Sequence, residues 1–418
     1  MNRNVAVVLF LLAWAGAAWI FSGQNRWQTI KAWVAAPASS TVPAPPKPDE
    51  NAELPAVDRQ APYVLRLESG AAADRVTWLL TVDDAVQGYA YAAGETYDAY
   101  GTVATATNQL AFAAYRDTGE TLAAATGTWR GAGFAGEARF GAAVSALRRT
   151  EAPAAAVLSF ERTAGSWEDA RRNMGCTFAL TLPRVQPGTG LSTAVAERIN
   201  QEIRRSLLRP VSFSITGGPA FRSSPLQLKN DFLRVCQMEL AEERAAWKGA
   251  GEPGGIFQRS EETSVRVSYN QGGWLSFTAD TATYTGGAHG GVLRQAFVFD
   301  TRTGDRLSLD NLIRPDRQAR FGQLVAGEVL RSHADALFAE TMDALGAFAA
   351  ADPARAEELW AQGLSGLSTS TVFALVPEGL QVIFQQYEIA PYAYGLPEVV
   401  LPAERWRDLA APGRRLPF

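Results

Sequence analysis

Histidine and cysteine are scarce in this chain of 418 residues. The only histidines are His289 and His333, and the only cysteines are Cys176 and Cys236. A conventional zinc site takes about four such ligands, so all of these residues would have to converge. Their spacing gives no sign of convergence, and we therefore predict no metal site.

An excess of one charge is also missing. The chain has 39 basic and 43 acidic residues, which gives a formal net charge of −4. No basic field is available to attract a nucleic acid, and no acidic tail to attract a basic partner. We therefore predict that nucleic acids are not among its partners.

No nucleotide-binding motif stands before a predicted helix, and no complete motif for a catalytic serine is present. Neither GxGxxG nor GxxxxGK[ST] opens a predicted helix, so phosphate binding has no support. The stretch Gly363-Leu-Ser-Gly-Leu367 lacks the last glycine of the GxSxG turn that carries a nucleophilic serine. We predict no cofactor and no catalytic residue.

The composition is that of a folded protein. Hydrophobic residues make up 47% of the chain and charged residues 20%, which is typical of globular domains. The length fits two or three domains.

Residues 1–22 are predicted to form a membrane anchor or a signal segment. Val5–Phe21 is uncharged, and as a helix it would span roughly 25 Å, slightly less than a bilayer core. Because Arg3 precedes this run, the positive-inside rule keeps the N-terminus cytoplasmic and exports the rest. We expect a periplasmic protein tethered to the inner membrane by this helix. The alternative is secretion after cleavage near Ala36.

Residues 23–62 read as a proline- and alanine-rich linker, which is a semi-rigid spacer. Export also bears on the two cysteines, because cysteines outside the cytoplasm are usually paired. We predict a disulfide between Cys176 and Cys236 that joins a strand to a helix. The alternative is two buried thiols.

Residues 63–165 are predicted to form a β-rich module. Short alternating segments are separated by glycine-containing turns, as in an antiparallel meander. In one segment, Leu110 and Phe112 would face one way, and Ala113 and Tyr115 the other. Such a meander forms either a small barrel or a curled sheet.

The remaining residues mix strands and helices. We predict helices at 189–208, capped by Ser192, and at about 225–247, followed by a hairpin that turns at Asn270-Gln-Gly-Gly273. A long helix is expected at about 316–340, with His333 on its exposed face. The sequence therefore predicts an α+β protein, with an N-terminal antiparallel meander followed by antiparallel sheet with packed helices.

Two strings in this region carry a resemblance to a known family. They are Tyr284-Thr-Gly-Gly-Ala-His-Gly290 and Tyr387-Glu-Ile-Ala-Pro-Tyr-Ala-Tyr-Gly395, followed by Leu-Pro-Glu-Val-Val. Together with the order of elements, they resemble the paired exported domains of RsiV-type anti-sigma factors and of PdaC-type peptidoglycan deacetylases. The resemblance implies a PdaC-like domain at 174–285 and an RsiV-like C-terminal domain at 286–418.

The resemblance also implies a function, within limits set by this sequence. RsiV-type proteins hold a sigma factor through a cytoplasmic domain, but only four residues precede the hydrophobic run, so we expect no sigma factor. A deacetylase needs an Asp and two neighbouring histidines, which His289 and His333 do not supply. The exported recognition part remains, and in RsiV-type proteins it binds lysozyme. We therefore expect a non-enzymatic envelope protein that binds a lysozyme-type muramidase or peptidoglycan.

The candidate ligand-binding residues lie in the same two strings. Tyrosines provide a large contact area at a low cost in conformational entropy, although they equally suit the rim of a core. His289 could contact a ligand, act as an acid or base in an envelope polymer-modifying enzyme, or simply stabilise a turn. A carboxylate pair of Glu388 and Glu398 has no fixed separation in the sequence, and a purely structural envelope module is a further alternative. The predicted contact residues are His289, Tyr387, Glu388, Tyr392 and Tyr394.

Overall fold

The structure, a computed structural model, describes most of the chain from residue 63 onward. The described residues are 63–70, 75–82, 85–92, 95–104, 109–116, 120–130, 133–140, 143–150, 155–188, 190–209, 224–247, 257–362, 372–413 and 416. The predicted membrane segment and linker, residues 1–62, lie outside them. Among the described residues, no helix has the length and apolar character needed to cross a membrane. The described chain divides into two compact units, residues 64–150 (the barrel unit) and 151–418 (the second unit).

The barrel unit is a closed antiparallel barrel of eight strands, which confirms one of the two forms predicted for the meander. Closure comes from pairing of the first strand with the last, with Leu67 opposite Arg149. The strands are β1 Tyr63–Ser69, β2 Val76–Val82, β3 Ala85–Ala92, β4 Glu95–Ala104, β5 Gln109–Tyr115, β6 Thr121–Arg130, β7 Gly133–Phe140 and β8 Ala143–Arg149. The sequence reading missed β8, because Leu147 is its only buried residue and alternation is weak.

Small residues let the barrel strands lie close together. Phe112 on β5 packs edge-on against Trp78, with 5.0 Å between ring centroids. Gly101 lies opposite Phe112 on β4. A Cβ atom at Gly101 would come within 2.1 Å of the carbonyl oxygen of Ala111 and 2.5 Å of Cβ of Phe112. Glycine at this position is therefore required by close backbone approach.

The second unit is built on a sheet of five strands in the order β13-β12-β11-β10-β9. The strands are β9 Val157–Asp169, β10 Met174–Gln186, β11 Phe257–Gln271, β12 Trp274–Tyr284 and β13 Gly291–Asp300. The expected boundary at residue 165 thus falls inside β9, which pairs with β10 rather than with the barrel. The division expected at 285/286 falls in the turn between β12 and β13, so both predicted domains contribute to one sheet.

Two helices connect β10 to β11, and this crossover makes that one pair parallel while the others are antiparallel. They are α1 Thr193–Leu207 and α2 Pro225–Trp247. Ser192 caps α1 as predicted, because its side chain accepts a hydrogen bond from Val195 N. The predicted disulfide is also confirmed: Cys176 on β10 is bonded to Cys236 on α2.

The rest of the second unit packs helices against a sheet of three strands. The helices are α3 Leu309–Leu312, α4 Gln318–His333, α5 Ala339–Ala350, α6 Pro353–Ala361 and α7 Ala403–Trp406, and the strands are β14 Val372–Val376, β15 Gly379–Ile383 and β16 Glu398–Pro402. The single long helix predicted at 316–340 was wrong, since α4 ends at His333 and α5 begins at Ala339. Between them, Phe338 N donates to Ile389 O, which draws the chain toward the segment between β15 and β16.

Candidate ligand-binding site

Two segments of the second unit meet at the outer edge of β13. One is the turn between β12 and β13, which carries His289, and the other connects β15 to β16 and carries the three predicted tyrosines. Glutamine side chains join them: Val292 N donates to Oε1 of Gln386 at 2.8 Å. The amide of Gln385 accepts from Arg294 N at 3.0 Å and donates to Arg294 O at 2.9 Å. Gln385 therefore replaces a neighbouring strand and holds the tyrosine segment beside the histidine turn.

Three of the predicted residues form one stack of rings, which we call the three-ring stack. The ring of His289 lies on that of Tyr392, with 3.9 Å between centroids and 24° between planes. The ring of Tyr387 lies beside Tyr392 at 5.8 Å and 32°. Residues nearly a hundred positions apart in the sequence thus form a single aromatic surface.

The hydrogen bonds of His289 define its tautomer. Nδ1 lies 3.0 Å from the carbonyl oxygen of Gly290, which can only accept, so Nδ1 carries the hydrogen in the neutral ring. Nε2 is then an acceptor, and the hydroxyl of Tyr387 donates to it across 3.4 Å. This second bond is long and correspondingly weak.

Tyr387 has an uncommon backbone conformation. Its φ angle is +64°, in the left-handed region that disfavours residues with a Cβ atom. Its side chain is 54% exposed, although it is a large aromatic residue. Backbone strain of this kind is typical of functional sites, where neighbouring contacts compensate for it.

Glu388 follows Tyr387 and stabilises the same turn. Its Oε2 accepts a hydrogen bond from Gln385 N at 2.6 Å. Partial desolvation raises the pKa of this carboxyl, and the bond from Gln385 opposes the increase. Desolvation also raises the pKa of Tyr392, with a contribution from Tyr387, so the phenol of Tyr392 keeps its proton.

Tyr394 packs against the other histidine of the chain. Its hydroxyl lies 3.2 Å from Nδ1 of His333, and the two rings meet edge to face at 84°. Nε2 of His333 donates to the carbonyl oxygen of Glu398 at 2.8 Å. The prediction that His333 is exposed was therefore wrong: it is 7% exposed, because its ring fills the space between Tyr394 and β16.

A buried network of charges lies under the edge of β13. Arg294 is bonded to Asp280 through Nε at 2.6 Å and Nη2 at 2.8 Å, and also contacts Glu398. Arg266 bonds Asp280 at 3.0 Å, and Gln381 donates to Glu398. Burial alone would raise the pKa of Asp280, but the two arginines outweigh it and hold this pKa below its usual value.

The sequence reading missed this network. The local signal for the network was an acidic and a basic residue within otherwise apolar strands. These two residues, Asp280 on β12 and Arg294 on β13, are direct cross-strand partners. Glu398 and Glu388, the carboxylate pair considered from the sequence, have different hydrogen-bond partners. Glu398 is held by Arg294 and Gln381, while Glu388 is bonded to Gln385 N. Within the described part of the chain, no group of three or more His, Cys, Asp or Glu residues is arranged to hold a metal ion.

Part of this region is similar to a known protein family. Residues 335–404 match DUF3298, described as a protein of unknown function. This match includes the tyrosine segment and β16. No curated protein matches the chain. The relation to RsiV-type and PdaC-type proteins stays a prediction.

Two solved structures are similar to the chain. A DUF3298 family member from Bacteroides fragilis NCTC 9343 is 15% identical, with a TM-score of 0.46, and the match covers 62% of this chain and 96% of that protein. A DUF3298 family protein from Pseudomonas aeruginosa PAO1 is 18% identical, with a TM-score of 0.37, and the match covers 60% of this chain and 94% of that protein.

Proposed function

We propose that the protein is a non-enzymatic recognition protein of the cell envelope, and that the three-ring stack is its contact surface. The observation that carries this proposal is Tyr387, an exposed aromatic residue held in a strained backbone conformation. A residue that served only to fill a core would be buried, and a residue that served only to turn the chain would be glycine or asparagine.

Fixed aromatic side chains suit recognition for an energetic reason. Binding orders flexible side chains, and that ordering opposes association. Here the ring of Tyr392 is already stacked on His289, and the segment is bonded to β13 through Gln385 and Gln386. A ligand would therefore meet a surface that loses little further conformational freedom.

The resemblance to RsiV-type proteins supplies the candidate ligands, which are a lysozyme-type muramidase and peptidoglycan. Both are found outside the cytoplasm, where the predicted N-terminal helix would place the folded chain. In this proposal the helix tethers the protein to the inner membrane. A bound muramidase would have its own substrate cleft covered by this protein.

The test is a binding measurement with the full chain produced under oxidising conditions. Binding to an immobilised muramidase and co-sedimentation with insoluble peptidoglycan would be measured in parallel. We expect saturable binding to at least one of them, weakened by Tyr387→Ala and by Tyr392→Ala. Met238→Ala is the control, because Met238 on α2 is 54% exposed and so matches Tyr387 in exposure.

Two outcomes would contradict the proposal. Absence of binding to both ligands would favour a purely structural envelope module. Release of soluble fragments from peptidoglycan, lost in His289→Ala, would instead indicate an enzyme.

A further inference from the structure

The three-ring stack also restricts the chemistry of its ligand. We infer that it binds the flat apolar face of a neutral sugar ring within a glycan. This inference rests on the proposed recognition function and adds the class of ligand to it.

The orientation of the rings favours a flat ligand. His289 and Tyr387 deviate by only 24° and 32° from the plane of Tyr392. Rings stacked nearly parallel leave a flat aromatic face on the outside of the stack, which we call the shelf, whereas a site for a compact cation surrounds it with rings at steep angles. One face of a pyranose ring consists of C–H groups with slight positive charge, and such a face packs on the negative face of an aromatic ring.

Exposure shows that the shelf is accessible. Tyr387 is 54% exposed, and His289 is also exposed. Tyr392 is only partly exposed and lies against both other rings, so it supports the surface while His289 and Tyr387 present it to solvent.

The charge of the two segments favours a neutral ligand. Residues 283–292 and 385–397 contain no lysine or arginine, and Glu388 is their only acidic residue. A polyanion such as a teichoic acid needs cationic side chains to bind its phosphates. A single carboxylate would repel it.

Polar groups beside the shelf can give up a hydrogen bond to each other and form hydrogen bonds to sugar hydroxyls instead. The bond between the hydroxyl of Tyr387 and Nε2 of His289 is long, at 3.4 Å. A sugar hydroxyl can both donate to Nε2 and accept from Tyr387, and would replace this weak bond by two shorter ones. Gln386, whose side chain accepts from Val292 N, adds an amide beside the same surface.

The experiment is calorimetric titration of the full chain with chitohexaose, a neutral hexamer of β-1,4-linked N-acetylglucosamine. Titration with a lysozyme-type muramidase runs in parallel. We expect chitohexaose to bind, and Tyr387→Ala and His289→Ala each to weaken binding about three- to ten-fold, since a stacked ring contributes about this much to affinity. His289→Phe should bind more tightly than His289→Ala and more weakly than the wild type, because it keeps the flat ring and loses only the hydrogen bond to Nε2. Met238→Ala should leave the affinity unchanged.

The two variants of His289 separate ring stacking from hydrogen bonding by the imidazole nitrogens. Equal loss in His289→Phe and His289→Ala would show that the nitrogens matter rather than the ring face, and would overturn the inference. Binding of the muramidase through the same rings, with no binding of chitohexaose, would also overturn it while leaving the recognition function intact. Absence of both interactions would remove the inference and the recognition function together. Unchanged thermal unfolding of each variant is the check that the fold persists.

Discussion

The barrel unit and the second unit differ in what their outermost strands are hydrogen-bonded to. In the barrel, β1 pairs with β8, so the sheet closes and leaves no edge. In the second unit, β13 lies at an edge, and other parts of the chain bond to its backbone. Gln386 bonds to Val292, Gln385 to Arg294, Arg306 to Ala296 and the backbone of Leu307 to Val298.

The difference shows where each unit is sensitive to substitution. The barrel depends on side-chain volume, because its strands approach closely at glycines such as Gly101. The second unit depends on individual polar side chains, each of which satisfies backbone groups or charges that are hidden from water. The candidate site depends on two of these polar contacts, those of Gln385 and Gln386 with the backbone of β13.

The largest effect is expected from Arg294→Met. This substitution leaves Glu398 without its arginine and Asp280 with only Arg266. Breaking a buried ion pair typically costs about 3–5 kcal/mol, so the free energy of unfolding of the second unit should fall by that amount. Denaturant unfolding, combined with peptide-resolved hydrogen exchange, would measure this fall and show that the barrel keeps its protection.

Arg355→Met is the matched control. Arg355 pairs with Glu358 on α6, and both side chains are about half exposed, so the change should stay within about 0.5 kcal/mol. Equal effects of the two substitutions would mean that the network is not buried as described.

The next effect is expected in the barrel from Gly101→Ala. The added methyl group would contact the backbone at Ala111, which cannot move aside, and overpacking of this kind costs up to about 3 kcal/mol. Hydrogen exchange should show lost protection in β4 and β5 only. Gly346→Ala on α5 is the opposite case, because its added Cβ meets nothing within 4 Å, and it should stabilise the protein by up to about 1 kcal/mol. A destabilising effect of similar size at both positions would contradict the close approach in the barrel.

A smaller effect is expected from Asn200→Ala. The buried amide of Asn200 on α1 accepts from Val185 N at 2.8 Å and donates to Val185 O at 2.9 Å. Its loss leaves both backbone groups unsatisfied, at a cost of about 1–3 kcal/mol. The neighbouring exposed Gln201 provides the control, and Gln201→Ala should change stability little. If the two variants had the same unfolding midpoint, side-chain pairing with the strand backbone would not be a source of stability.

The most gradual effect is a dependence on pH confined to the second unit. The pKa of Asp280 lies below its usual value in the folded chain, so the unfolded chain binds the proton more tightly. Its contribution to stability is complete above a pH of about 4 and is lost as the pH falls through the lower folded pKa. Unfolding measured from pH 7 downward should show this loss, and Asp280→Asn should flatten the acid slope while exposed Asp343→Asn should not. An unchanged slope in Asp280→Asn would place the proton uptake elsewhere.

Local signals in the sequence predicted much of the fold. The cap at Ser192, the extent of α2 and the tight turn at Gly272 and Gly273 depend on neighbouring residues, and the structure has all three. The split between α4 and α5 was missed because it depends on Ile389, which is remote in the sequence. The burial of His333 has the same origin, since its partners Tyr394 and Glu398 come from another part of the chain.

The role of the candidate site stays a prediction, and its arrangement could not be derived from the sequence. The aromatic strings identified His289, Tyr387 and Tyr392, but only the structure shows that their rings stack. Gln385 and Gln386, which hold the segment in place, carried no signal in the sequence because glutamine is common on surfaces. Arg294 was missed for a related reason, since its role depends on the burial of its side chain against Asp280 of β12.

The most direct test of the recognition surface is a hydrogen-exchange footprint on the full chain. Exchange would be compared without ligand and with chitohexaose, solubilised peptidoglycan or a lysozyme-type muramidase at saturating concentration. We expect new protection in peptides that cover residues 284–292 and 385–395, with the barrel strands unchanged. Protection confined to the barrel, or no change with any of the three ligands, would contradict it.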